Sequence, residues 1–182
     1  MIYSQAIDTV CDFLETKVAR NILLKKAADD GQTDADGRLT PAKLVHPTVS
    51  PVYTPEDAPA LVVTTQNAET DSDGVTRQLM RIMCAVWDDG LIIPDGEGEL
   101  EQPPDFTTAY RACANLCEIV LRAAREYPAL PGLYLTGPFK MGFYGERDGY
   151  PDYWPYSIGY VEFMAEYTRP AALDPYIARM IE

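Results

Sequence analysis

The reactive inventory of this chain is short: one histidine, four cysteines, and twenty-eight Asp and Glu residues against fifteen Lys and Arg. Nucleophilic catalysis by the familiar triads needs a base, and the single candidate, His46, sits in the proline-flanked segment HPTVSP. The sequence has no Gly-x-Ser-x-Gly elbow, no Gly-x-x-x-x-Gly-Lys-Ser/Thr loop and no Gly-x-Gly-x-x-Gly fingerprint. Carboxylate pairs abound in so acidic a chain, so none of them singles itself out as an acid and base. Cys11, Cys84, Cys113 and Cys117 include no Cys-x-x-Cys pair. Cys113 and Cys117 stand four apart on a predicted helix and share a face with Ala109, Leu116 and Val120, which makes them small buried hydrophobes. Two Asp-rich windows invite a calcium reading. Gln32–Lys43 aligns Asp34, Asp36 and Gly37 with an EF-hand loop, and Glu69–Met80 aligns Asp71, Asp73 and Gly74. Each lacks the bidentate carboxylate that closes such a loop, so both read as Asp-Gly turns. The chain is expected to have no catalytic residue, metal or cofactor of its own.

Aromatic residues offer recognition instead of reaction. Phe143, Tyr144, Tyr150, Tyr153, Trp154, Tyr156 and Tyr160 follow one another closely. A base-stacking platform needs interleaved cations, whereas Glu146, Asp148 and Asp152 lie among these rings and Lys140, Arg147 and Arg169 are far apart. Strand packing and a protein interface, where Tyr and Trp are enriched, both fit the run. The net charge of −13 and the pI of about 4.4 oppose a phosphate-binding surface. No apolar run is long enough to cross a bilayer. The opening MIYSQAIDTV has no basic-then-apolar signal pattern, so the chain is expected to stay where it is made.

The elements that position these residues can be read from periodicity. Residues 3–24 predict a first helix, with Ile7, Val10, Cys11, Leu14 and Val18 on one stripe and Ser4 as its N-cap. Residues 27–58 are proline-rich and aperiodic, a long loop with Leu44, Val45, Val49, Val52 and Tyr53 available as an edge segment. ALVVTTQ (60–66) and VTRQLMRIMCAVWD (75–88) predict a long antiparallel hairpin. Its second strand turns Met80, Ile82, Cys84 and Val86 to the core. Its other face carries Arg77, Leu79, Arg81, Met83, Ala85 and Trp87. An acidic Pro/Gly connection at 89–105 leads to a second helix at 106–126, with Asp105 as N-cap and Phe106, Ala109, Tyr110, Cys113, Leu116, Cys117, Val120, Leu121 and Ala124 as its apolar stripe. Two more strands follow within 132–170, joined around 145–155, and a tail occupies 171–182. In the last strand Val161, Phe163, Ala165 and Tyr167 share one face, and Tyr160, Glu162, Met164 and Glu166 the other.

This order predicts one α+β domain over 1–182: an antiparallel sheet of about four strands with two helices on one face. The uncovered face would carry Met83, Trp87, Tyr160 and Met164 beside charged residues, an arrangement suited to association.

In element order and local flavour, PALVVTT (59–65), RQLMRIMCAVWDD (77–89), TAYRACANLCEIVLRAARE (108–126) and YPDYWPYSIGYVEFMAEY (150–167) resemble the tail-terminator, or tail-completion, proteins of tailed bacteriophages. The insert at 27–58 and the acidic loop at 94–105 depart from that pattern, which leaves neck and head-completion roles open. The resemblance implies a structural virion protein assembled in the bacterial host cytoplasm. Such a protein forms a homo-oligomeric ring, typically a hexamer, that caps the tail tube and meets neck or head proteins. DNA would pass a negative lumen without stable binding, and no membrane is involved. Ring closure needs two different patches. The candidates are the hairpin face (Arg77, Arg81, Trp87) and the aromatic stretch (Tyr150, Tyr153, Trp154, with Tyr160), the arginines pairing with carboxylates of a neighbour. A monomeric protein-binding adaptor and a carboxylate- or metal-dependent enzyme are the competing readings.

Overall fold

A computed structural model of the chain describes residues 3–25, 39–41, 43–45, 59–87, 106–144 and 156–168. The first helix, α1, spans Tyr3–Lys17. Ala6, Ile7, Val10, Cys11, Leu14 and Val18 recur three and four apart and are all buried, the stripe that binds a helix to a core. Ser4 lies inside the first turn of α1 instead of capping it. The helix also ends short of the expected residue 24. The Asn21 side chain donates to the Lys17 carbonyl at 3.2 Å, and a 3₁₀ turn at Ala19–Asn21 redirects the chain. The run Ile22-Leu23-Leu24 offers no polar position for the outer side of another helical turn. It becomes extended, and Leu23–Lys25 forms strand β1.

β1 pairs antiparallel with β2, Leu39–Pro41. A second short strand, β3, spans Lys43–Val45. The stretch expected as one long loop therefore contributes two strands, and Leu44 and Val45 do serve as an edge segment. Val49, Val52 and Tyr53 lie outside the described residues.

The long hairpin forms as expected, from β4 (Ala60–Thr70) and β5 (Val75–Trp87). Its turn is built on Asp71, whose Oδ1 accepts from the backbone N–H of Asp73 at 3.0 Å and of Val75 at 2.9 Å. Gly74 closes it at a φ of +78°, the left-handed region that a side chain resists. This is the Asp-Gly turn reading of the second calcium-like window. The second helix, α2, spans Phe106–Glu126, the predicted boundaries, and Pro128 follows it. Asp105 lies outside the described residues. After α2, the two-residue strand β6 (Ala129–Leu130) turns through Pro131 and Gly132 into β7, Leu133–Phe143. Gly132 adopts φ +76°, and Pro followed by a positive-φ Gly suits a tight reversal. The last strand, β8, is Tyr156–Thr168.

The main sheet runs β3-β4-β5-β8-β7-β6. It has six strands where about four were expected, because short β3 and β6 flank the four long ones. β3 runs parallel to β4, and the other five strands are antiparallel neighbours. α2 lies over β5, β8 and β7, while α1 lies against β3 and β4 and also reaches β6. One helix can touch both edges only because the sheet curls around it.

Both helices pack on one face. Leu61, Val63, Met80, Ile82, Cys84, Val86, Val161, Phe163, Ala165 and Tyr167 join the helix stripes in a single apolar cluster. Gly159 sets how closely α2 approaches: a Cβ there would lie 2.7 Å from the Cys117 sulfur and 3.1 Å from that of Cys113. The four cysteines are buried and free. Burial, with Asp8 and Asp12 adding to it, pushes the Cys11 thiol up to about 12. The hydrogen bond with Cys117 and burial push Cys113 up as well. The fully buried Gln78 is satisfied from both sides, donating to Thr65 Oγ1 at 3.1 Å and accepting from the Tyr167 hydroxyl at 2.8 Å. A buried amide left unpaired would cost about 1–3 kcal/mol.

Candidate functional site

On the face turned away from the helices, β5 and β8 stand in a register that sorts their side chains into rungs. Arg77 lies opposite Glu166, Leu79 opposite Met164, Arg81 opposite Glu162, and Met83 opposite Tyr160. Ion pairs and apolar pairs thus alternate along the strands. Directly opposed residues of a sheet have Cβ atoms about 5 Å apart, so the register itself delivers each carboxylate to its arginine.

The two ionic rungs differ in depth. Arg77 Nε donates to Glu166 Oε1 at 3.0 Å and Nη1 to Asp71 Oδ2 at 3.2 Å, and the Arg77 side chain is 49% exposed. Thr136 from β7 donates to the same Glu166 oxygen at 3.3 Å. Arg81 Nε donates to Glu162 Oε1 at 2.7 Å, and the Glu162 side chain is only 10% exposed. Arg81 is further held by the Tyr144 hydroxyl at 3.3 Å and lies over the Tyr160 ring, 5.0 Å from its centroid. Burial would pull the Arg81 guanidinium down, but the bonds to Glu162 and Tyr144 more than offset it. Tyr144 and Tyr160 meet at 5.2 Å with their planes tilted by 49°. The Tyr160 ring covers Gly142, where a Cβ would come within 2.5 Å of it. Gly142 therefore works as a seat for the tyrosine, a cross-strand glycine–aromatic pair.

Of the residues proposed from sequence, the structure brings Arg77, Arg81 and Tyr160 onto one face. Trp87 belongs to the same strand, with its backbone paired to Tyr156, but its side chain lies outside the described residues. So do Tyr150, Tyr153 and Trp154. The arginines find carboxylates within the chain, Arg77 at Glu166 and Asp71 and Arg81 at Glu162. The face is also less open than alternation alone suggested. Ala60, Val62, Ala85 and Ile158, at the end away from the hairpin turn, are all buried.

Other exposed apolar residues escaped the sequence reading. Tyr110, counted into the α2 core stripe, is 50% exposed, and Met141 on β7 is 40% exposed. Tyr110 packs on Phe143 with ring centroids 4.7 Å apart, and the Arg125 guanidinium lies 5.5 Å from the Phe139 centroid. Tyr110 sits at the margin of its stripe, and that margin is the signal that could have found it.

Charge is distributed unevenly. The described residues carry ten acidic and ten basic side chains, whereas the remaining segments carry eighteen acidic and five basic, which accounts for the whole net charge of −13. Among the described residues no group of three or more His, Cys, Asp or Glu could hold a metal ion, and no helix is long and apolar enough to cross a membrane. The fold and this face together define an α+β protein with a one-sided helical cover and a laddered, partly open sheet surface. No protein-family model matches the sequence, and no curated protein is similar to it at a significant level.

Proposed function

We propose that this chain is a structural virion-assembly protein of the tail-terminator kind. Copies of it would close into a ring, a hexamer by resemblance, that caps the tail tube and joins it to the neck or head. The observation that carries this reading is the alternating ladder on the open face. Salt-bridged rungs hold Leu79, Met83, Met164 and Tyr160 in fixed positions, so the surface is amphipathic and already ordered before any partner arrives. Pre-ordered side chains lower the entropy cost of association. The neutral core with its acidic surplus elsewhere suits a ring through which DNA passes without being held.

The test is absolute mass by light scattering across protein concentration, with negative-stain imaging of large species, alone and with isolated tail tubes. The expected result is a ring with a central hole, free or at tube ends. A chain that stays monomeric at every concentration and ignores tube ends would overturn the proposal and favour a monomeric adaptor.

A further inference from the structure

Among the described residues the sheet has two long outer strands, and each is flanked over only part of its length. On β4, the strand β3 pairs with Ala60, Leu61 and Val62 alone. On β7, β6 pairs with Leu133 and Tyr134 alone. Among the described residues, the outer edges of β4 from residue 64 to 70 and of β7 from residue 136 to 143 have no strand beside them. β4 and β7 run in opposite directions, since each step from β4 to β5 to β8 to β7 is antiparallel. A β4 edge brought to β7 by head-to-tail repetition would therefore pair antiparallel. An unpaired edge is a template for another strand.

The chemistry beside the two edges is complementary. Next to the free part of β7 are the exposed Met141 and Tyr110 and the cation Lys140, which stands opposite Glu162 but makes no ion pair among the described residues. Residues 66–70 of β4 are all exposed, and Glu69 among them, opposite Arg77, likewise makes no ion pair among the described residues. We infer that the hairpin of one copy, through β4 residues 64–70, docks along the free part of β7 of the next copy, with Glu69 facing Lys140 and the Tyr110–Met141 surface covered. This inference rests on the ring reading and names its interface. The contact is heterologous, the kind that closes into a ring. β3 and β6 set its register by blocking the other part of each edge. The bulge at residues 66 and 67 and the displaced stretch 137–139 interrupt a regular ladder, which blunts pairing with unrelated strands.

Charge reversal decides it. Within one chain Glu69 and Lys140 are three strand spacings apart, about 14 Å laterally, and about four residues apart along the strands, so the two cannot compensate each other intramolecularly. Lys140→Glu and Glu69→Lys, each alone, are expected to raise the concentration of half-assembly about tenfold or more, and the double variant to return it to within about threefold of wild type. Far-UV circular dichroism of the monomers should be unchanged, and their melting should shift only slightly, because Glu69 and Lys140 are exposed even though they stand opposite Arg77 and Glu162. Single variants that assemble like wild type, or a double variant that fails to recover, overturn this interface and leave the ring itself standing. A wild-type chain that forms no ring, free or on tubes, overturns the ring reading and this inference with it.

Discussion

The two faces of β5 share one backbone and obey different rules. Toward the helices, Thr76, Gln78, Met80, Ile82, Cys84 and Val86 are all buried, the last four in the apolar cluster that both helices join. Away from the helices, Arg77, Leu79, Arg81 and Met83 stand opposite Glu166, Met164, Glu162 and Tyr160, and charge alternates with hydrocarbon. The first face is held by area removed from water, about 25 cal/mol per Å². The second is held by pairwise geometry set by the register. The first is consequently intolerant of volume change, and the second tolerates it but depends on its pairs being complete.

The sharpest way to break this contrast is to truncate one residue on each side of β8. Phe163 is fully buried against the helices, so Phe163→Ala should cost about 3–5 kcal/mol. Its neighbour Met164, half-buried on the ladder, should lose about 1 kcal/mol or less on truncation to alanine. Urea unfolding of the two variants measures both, and equal losses would mean that the ladder face is as closely packed as the core. The next largest effect compares the two ionic rungs. Arg81→Met leaves the Glu162 carboxylate nearly buried without its main donor and should cost about 2 kcal/mol, below the figure for a fully buried pair because Arg81 keeps some contact with water. Arg77→Met exposes a carboxylate that water can reach and should cost less than about 1 kcal/mol. Raising the salt should weaken only the Arg77 rung.

Much of this contrast was legible beforehand, and for a physical reason. A period of two assigns each strand residue to a face without knowledge of the partner. The division of Met80, Ile82, Cys84 and Val86 from Arg77, Leu79, Arg81 and Met83 came out as read, and so did that of Val161, Phe163, Ala165 and Tyr167 from Tyr160, Glu162, Met164 and Glu166. The α2 boundaries were equally clear, from a long apolar stripe ended by Pro128. Register was not legible, because it depends on which residues two distant strands bring opposite each other. Arg77 and Arg81 therefore seemed in need of a neighbour's carboxylates, when Glu166 and Glu162 were eighty-odd positions away in the same chain. The three-residue strand β2 and the two-residue strand β6 were missed for the opposite reason: they are too short to show any period. The end of α1 was misplaced because the apolar Ile22, Leu23 and Leu24 extend a helical pattern as readily as they begin a strand.

A last predicted effect carries the comparison into pH. The helix-side face is dry enough to hold thiols neutral, whereas the ladder keeps its charges. Cys11 illustrates this, its thiol raised from an ordinary 9.0 to about 12 by burial and by Asp8 and Asp12. A folded-state value above the unfolded one means that the folded chain keeps a proton that the unfolded chain releases. The corresponding stability is complete below pH 9 and declines as pH rises toward 12. Its slope approaches 1.4 kcal/mol per pH unit, or roughly 1 kcal/mol over the first unit above pH 9. Urea midpoints of wild type and Cys11→Ala should therefore converge between pH 9 and 10.5. Parallel curves would show that water reaches Cys11 in the folded state and that α1 does not seal this side of the sheet.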